Sequence, residues 1–253
     1  MNISFYKLEC ITNLHVGSGD ENFNIVDSEV EKDPVTGLPI IGASGIKGAL
    51  REVVTARDEA LANVIFGGRG DKETVNSGTH KFFDAFLIAR PMRVSGSPEM
   101  ASIPVVTVSS VNHFLSMLSA FGKNPFGFEK IEAPDFGEKV FLTNVSHVCV
   151  EDEETGLLAG KTLEQLTALS SIIGEQFAIT PSFDGFDLPI MARNLLQNGI
   201  SKNLWFEEFV PHGSVMFFAV MAPEDVQLLD LPPIVQFGGN SSIGYGFSKL
   251  TKL

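Results

Sequence analysis

The sequence predicts an α+β fold, on three observations. Segments that alternate apolar and polar residues, or that are wholly apolar, read as strands and run from the first residues to the last. Between them lie segments whose apolar residues recur at helical spacing. The two kinds follow one another without a regular βα repeat, so a parallel doubly wound sheet is not expected. With 253 residues, 44% of them apolar and 19% charged, the chain can bury the core of one large domain or two small ones.

The first predicted strand covers 3–12, where Tyr6, Leu8 and Cys10 alternate with Lys7 and Glu9. A polar connection from Asn13 to Gly37 follows. It is longer than most connections, which points to function or mobility. Ser44 is expected to cap a helix whose apolar face is Ile46, Leu50, Val53 and Val54. Lys47 and Arg51 are four apart and share a side of that helix away from the apolar face. A second short helix is expected over 59–65, stopped by Phe66-Gly67-Gly68. The stretch 69–81 reads as a polar, glycine-bearing loop, and the "RGD" at its start as a chance tripeptide. Strands are predicted over 82–88 and 103–108. An amphipathic helix is predicted through Val111, Phe114, Leu115 and Leu118. A loop over 123–139 carries prolines and glycines, and a strand is expected over 140–150. The acidic run 151–154 reads as a solvated turn, and 163–177 has helical periodicity. Asn198-Gly199 marks the turn of a β-hairpin over 191–207. The wholly apolar stretch 214–221 is expected to be a central strand. A glycine-rich loop and a last strand close the chain.

Charge and cysteine usage bound the function. A net charge of −13 argues against a free nucleic-acid binder, whose footprint is basic. It does not exclude a local cluster of donors that grips phosphate. Cys10 and Cys149 read as buried thiols and lack disulfide or metal spacing. No apolar run is long enough for a membrane span, and "MNISFYKLEC" does not read as a signal peptide. A cytoplasmic protein is expected.

Two glycine-rich stretches stand out. Gly42, Gly45 and Gly48 surround Lys47 at a helix start, where backbone N–H groups and a lysine form an anion site. A tight turn that needs glycine explains the same residues. Neither a P-loop nor a dinucleotide fingerprint fits. The second stretch, "GGNSSIGYG", holds Gly238, Gly239, Gly244 and Gly246 with Asn240, Ser241 and Ser242. It suits close approach to a phosphate, or a turn between two strands. The five histidines show no metal-ligand spacing. His15, in "LHVGSG", is either a general acid or base or the end of a strand. Asp27 lies in the long loop after Asn24, Ile25 and Val26, where an acid is either solvated or functional. Asp33 before Pro34 reads as turn chemistry.

Taken together, "LHVGSGD", "VDSEVEKDPVTGLPIIGASGIKGALRE" and the closing "GGNSSIGYG" resemble the RAMP proteins of CRISPR systems in order and spacing. "FFDAFLIARPMR" and "NLWFEEFVPHGSVMFF" narrow the resemblance to the backbone subunit of the type III-B effector, the Cmr complex. The equivalent subunit of the type III-A, or Csm, complex is the nearest competitor. The resemblance spans nearly the whole chain. It implies a single RAMP domain over 1–253, with an RRM-like, ferredoxin-like palm and an inserted β-hairpin thumb near 190–207. It also implies copies stacked head to tail along a CRISPR guide RNA, beside other Cmr subunits and without a membrane. Thumbs part the guide–target duplex, and a loop acid promotes metal-dependent cleavage of target RNA, most simply with Mg2+.

By motif position that acid is Asp27, which would also be the metal ligand. His15 and Glu207 fall in motifs that the resemblance places near the cleaved phosphate. Glu207 and Glu208 have a structural alternative, an ion pair beside Trp205. The family's S-x-K-G helix start maps onto Ser44, Gly45 and Lys47, although S-x-x-K-G here is one residue more open. With Arg51, Gly238, Gly239, Asn240, Gly244, Gly246 and the hairpin's Lys202, these form the expected RNA contacts. RNA supplies its own 2′-OH nucleophile, so neither serine nor cysteine is required. An aspartate in water has a pKa of about 3.9 and is a poor base, so metal binding or orientation of the 2′-OH suits it better. The alternative is a non-catalytic scaffold that coats guide RNA.

Overall fold

A computed structural model describes residues 1–19, 26–68, 77–226 and 229–253. Asn24 and Ile25, the "RGD" tripeptide and most of the expected 69–81 loop lie outside the described residues. The chain divides into two compact units. One comprises Met1–Phe86, Leu188–His212 and Phe217–Leu253; the other comprises Leu87–Asp187 and Gly213–Met216. Both mix strands and helices, as expected for α+β.

The first unit is built on a sheet in the order Ile234–Gln236, Phe247–Lys252, Asn2–Cys10, Val215–Ala222 (from Phe217). In the outer half of Asn2–Cys10, Leu8 and Cys10 are buried while Lys7 and Glu9 face out and pair at 3.5 Å. Burial pushes the Cys10 thiol up to about 12, which leaves it inert at neutral pH. Val215–Ala222 is buried along nearly its whole length, as a strand covered on both faces must be. Two helices, Ala43–Thr55 and Glu59–Phe66, belong to this unit. The first buries Ile46, Leu50 and Val54, one apolar stripe at spacings of four.

Gly42, not Ser44, is the N-cap of that helix. The Ala43 N–H is accepted at 2.6 Å by the carboxylate of Asp84, which makes a side-chain cap unnecessary, and Ser44 stands exposed. The hairpin forms a separate two-stranded sheet, Ile190–Gln197 with Ile200–Glu208, one residue longer at each end than expected. Asn198 and Gly199 have φ of 51° and 78°, as a type I′ turn requires. The register shifts between Leu195 and Leu196, where Asn203 and Ser201 are partners, so Lys202 occupies a bulge.

The second unit orders its strands as Ala85–Ser95 (from Leu87), Ser102–Thr107, Ala178–Thr180, Leu142–Thr143, Gly156–Leu157. Thr107 and Ser110 form a capping box that starts the helix Val108–Ala120. Its core gathers Met92, Val94, Ile103, Val105, Phe141, Val148, Val150 and Ala178. Two sequence expectations are corrected here. The strand over 140–150 is two short pieces, Leu142–Thr143 and Cys149–Val150. Asn144 turns the chain aside, because its amide binds Glu175 O at 2.7 Å and accepts from Phe177 N at 2.9 Å. The helix over 163–177 is Gly160–Ala168 and Ser170–Ile173, stopped at Gly174, whose φ of 102° is left-handed. Cys149 is half-buried rather than buried. Among the described residues no helix is long and apolar enough to cross a membrane.

Candidate functional site

The site expected from the sequence gathers at the base of the hairpin, within the first unit. Leu14 bridges Val210 in both directions, at 2.9 and 2.8 Å, and this brings His15 alongside the end of the hairpin. His15 is buried. Its Nδ1 lies 2.7 Å from Glu208 O and its Nε2 3.1 Å from Ser28 Oγ. A carbonyl only accepts, so Nδ1 carries the proton and Ser28 donates to Nε2. Both ring nitrogens are therefore committed to protein partners.

Ser28 belongs to a segment laid along the hairpin's second strand. Asp27 N and Ser28 N donate to Phe206 O at 3.1 and 3.2 Å, and Glu208 N donates to Ser28 O at 2.9 Å. The Phe206 N–H donates to Asp27 Oδ2 at 2.8 Å. Asp27 is exposed, and its Oδ1 accepts from none of the described residues. One oxygen is thus fixed by backbone, and the other takes no donor among the described residues.

The two glutamates that follow Phe206 are occupied. Glu208 is buried; its Oε2 accepts from Val30 N at 3.0 Å and its Oε1 from Lys32 Nζ at 3.0 Å. Glu207 takes Trp205 Nε1 on Oε1 at 2.7 Å, and Arg193 Nε and Asn240 Nδ2 on Oε2 at 3.1 and 2.8 Å. The Arg193 guanidinium lies 4.7 Å from the Tyr245 ring centroid. Burial pushes the Glu207 carboxyl up. The bonds from Trp205, Arg193 and Asn240, with the Arg193 charge, outweigh that and hold it below the ordinary glutamate range.

The glycine-rich C-terminal loop closes the same site. Gly239 N donates to His15 O at 2.8 Å and Gly246 N to Asn13 O at 2.8 Å. A Cβ on Gly238 would stand 2.2 Å from His15 O, and one on Gly246 1.9 Å from Phe237 O. These two glycines are demanded by close backbone approach. Gly244 has open space around it at φ +84°, and Gly239 is exposed. Asn240 is left-handed at φ 61° and spends its amide on Glu207.

The helix start connects to this cluster through one strand-like segment. Glu31 N donates to Val16 O at 2.7 Å, and the Glu31 carboxylate lies 3.3 Å from where a Gly42 Cβ would stand. With Asp84 on the Ala43 N–H, two acids already face this helix N-terminus. They compete with any phosphate there. Lys47 is half-buried and makes no ion pair or hydrogen bond among the described residues. Arg51 differs from the expected phosphate ligand: its Nη2 donates to Asn63 Oδ1 at 3.1 Å and its Nε is buried without a partner. It ties the first helix to the second. Gly45 and Ser44 are exposed beside Lys47, and Lys202 is exposed in the hairpin bulge. The ion pair expected beside Trp205 is present, between Arg193 and Glu207 at 3.1 Å. What the sequence did not reveal is the part of Arg193 and Ser28; only their nearness to the site motifs could have signalled it.

Among the described residues no three His, Cys, Asp or Glu side chains converge to cage a metal. Asp27 Oδ1, without a donor among the described residues, fits the other mode, in which Mg2+ keeps water and takes one carboxylate with phosphate oxygens.

The family described as the RAMP superfamily matches residues 7–249. The CRISPR system Cmr endoribonuclease Cmr4 of Pyrococcus furiosus is 26% identical over 281 aligned residues, covering 96% of this chain and 93% of that protein. The CRISPR system Cms endoribonuclease Csm3 of Enterococcus italicus is 44% identical over 138 residues, covering 49% of this chain and 62% of its own. Among solved structures, type III-B Cmr-beta bound to cognate target RNA matches with a TM-score of 0.76 at 21% identity, over 100% of this chain and 97% of that one. Oligomeric Cmr4 from Pyrococcus furiosus matches with a TM-score of 0.73 at 20% identity, over 100% and 98%. At such identities these structural likenesses speak to the fold alone.

Proposed function

The chain belongs to the RAMP superfamily, and from that membership we propose that it is the backbone subunit of a type III-B CRISPR ribonucleoprotein, binding guide RNA and cleaving complementary target RNA at regular intervals. The observation that carries this reading is Asp27, an exposed carboxylate with one oxygen pinned by Phe206 N–H and the other without a donor among the described residues, at the foot of the hairpin. The near-complete overlap with Cmr4, named an endoribonuclease, supports it; the Csm3 likeness spans only half of the chain.

In this reading the sheet of the first unit and its two helices serve as an RRM-like palm, and the hairpin Ile190–Glu208 is the thumb. Copies stack along the guide beside other Cmr subunits, in the cytoplasm. Shared contacts along one RNA let an acidic subunit bind it. Lys47, unpaired on its helix, takes a guide phosphate, with Gly45 and Gly48 leaving room for the backbone. Leu195, Leu196 and Ile200 are 57%, 60% and 62% exposed on the hairpin, and wedge between stacked bases. Parting the bases places a 2′-oxygen in line with the scissile phosphate. Asp27 orients that hydroxyl or would hold Mg2+; His15 and the Phe206 backbone keep the Asp27 segment in place. When bound, the ion supplies stabilisation of the charge that develops on the phosphate.

The test is to assemble the complex with a guide and add matched, end-labelled target RNA with magnesium. Products at regular spacing are the expected result. Intact RNA would identify the chain as a non-catalytic scaffold.

A further inference from the structure

We infer that Glu207 is a positioning residue: its carboxylate pins the base of the hairpin to the glycine-rich C-terminal loop, and through the neighbouring Phe206 backbone sets where Asp27 stands. This deepens the cleavage reading and rests on it. The resemblance makes Glu207 a catalytic candidate near the cleaved phosphate, with an ion pair beside Trp205 as the alternative. Its surroundings assign it a different part.

A carboxylate that acts on substrate needs a free lone pair. Glu207 shares Oε1 with Trp205 Nε1 and Oε2 with both Arg193 Nε and Asn240 Nδ2. Three donors in a half-buried setting leave little for a water, an ion or a hydroxyl. The same donors hold the group ionised and make it a weaker base than an ordinary glutamate. All three donors belong to this chain and come from three places. Trp205 lies two residues back on the same strand, Arg193 on the facing strand, and Asn240 in the C-terminal loop.

The mechanical consequence follows from the register. Arg193 pairs with Trp205 and Met191 with Glu207, so the carboxylate crosses the two strands at their foot. Asn240, left-handed at φ 61°, fastens that foot to a loop which is itself bonded to Asn13 and His15. Between Trp205 and Glu207 sits Phe206, whose N–H and C=O hold the Asp27 carboxylate and the Asp27 and Ser28 amides. A hairpin free to tilt at its foot carries Phe206, and with it Asp27, away from a phosphate that the palm holds still. A displacement of about 1 Å costs on the order of a hundredfold in rate.

The experiment uses the assembled complex loaded with guide, and reads target affinity and single-turnover cleavage separately. Glu207→Ala and Asn240→Ala should leave target affinity unchanged while slowing cleavage, the first by on the order of a hundredfold. Glu207→Gln separates positioning from chemistry. Its carbonyl still accepts from Trp205, and its amide meets Asn240 once the Asn240 amide turns over. Only the bond from Arg193 is lost, so cleavage should slow by clearly less than the hundredfold of Glu207→Ala. A proton acceptor or ion ligand would be lost as fully in glutamine as in alanine. Equal loss in Glu207→Gln and Glu207→Ala therefore overturns the inference, and so does normal cleavage in Glu207→Ala. Should Glu207→Ala fail to assemble, Asn240→Ala decides: slowed cleavage at unchanged affinity supports the pin, and normal cleavage overturns it. Asp27→Asn, run in parallel, keeps the two readings apart. Full cleavage by Asp27→Asn removes the cleavage reading itself, whereas an inactive Asp27→Asn beside an equally inactive Glu207→Gln removes only the positioning role.

Discussion

Phe206 N donates to Asp27 Oδ2 at 2.8 Å while Phe206 O accepts from Asp27 N at 3.1 Å, so one hairpin residue holds both ends of the candidate catalytic acid. The hairpin is thus the template for the Asp27 segment. Mutations along it are expected to reach the chemistry without touching the acid.

The apolar tip should matter for cleavage and not for guide loading. Replacing Leu195, Leu196 and Ile200 with serine leaves the strand pairing and the Asn198-Gly199 turn intact. Guide content of the purified complex is expected to be unchanged, with target cleavage sharply reduced. Normal cleavage at the usual spacing would show that this hairpin is not the wedge.

Lys47 and Arg51 share a helix face by sequence but should separate in experiment. Lys47→Ala should weaken guide binding irrespective of guide sequence and lower the salt slope by about one. Arg51→Ala loses the bond to Asn63 and should lower thermal stability, by about 1 kcal/mol, with little change in that slope. An unchanged slope in Lys47→Ala would remove it from the phosphate contacts.

Two glycines of one loop should respond differently to alanine. Gly246→Ala puts a Cβ 1.9 Å from the Phe237 carbonyl at φ +82°, and should cost on the order of 3 kcal/mol or more. Gly244→Ala has open space at φ +84° and should cost only the left-handed penalty, about 1–2 kcal/mol. Thermal unfolding of the two variants measures the difference; equal losses would contradict the packing described.

The Glu207 pin should be sensitive to acid. Its carboxyl is held below the ordinary value of 4.5: burial alone would raise it, but the bonds from Trp205, Arg193 and Asn240 prevail. The folded state therefore binds the proton less readily than the unfolded chain. The stabilisation is complete above 4.5 and is lost as pH falls through the lowered value. Wild type should accordingly lose stability on acidification more steeply than Glu207→Gln. Parallel pH profiles for the two would contradict this.

The parts of the fold legible in the sequence were those that local rules govern. The helix Ala43–Thr55 followed from the spacing of Ile46, Leu50 and Val54, and the hairpin from Asn198-Gly199 between apolar flanks. Long-range partners were not legible. Ser44 reads as a cap until Asp84, 41 residues on, takes the Ala43 N–H. The segment 140–150 reads as one strand until Asn144 binds Glu175 and Phe177. At the site, motif order placed His15, Asp27 and Glu207 close together. Periodicity could not show that His15 is committed to Ser28 and to Glu208, 193 residues away, or that Glu207 is filled by Asn240. Occupancy of a polar atom depends on which distant donors the fold delivers, and a sequence pattern does not carry it.

On this reading Asp27 is what makes the subunit a nuclease. Asp27→Asn keeps the size of the side chain and an oxygen for the Phe206 N–H, and removes the charge at the exposed end. The decisive measurement is single-turnover cleavage of matched target RNA beside target affinity in the assembled Asp27→Asn complex. Assembly and affinity should be unchanged, with no regularly spaced products. Wild-type cleavage by the Asp27→Asn complex would contradict this reading.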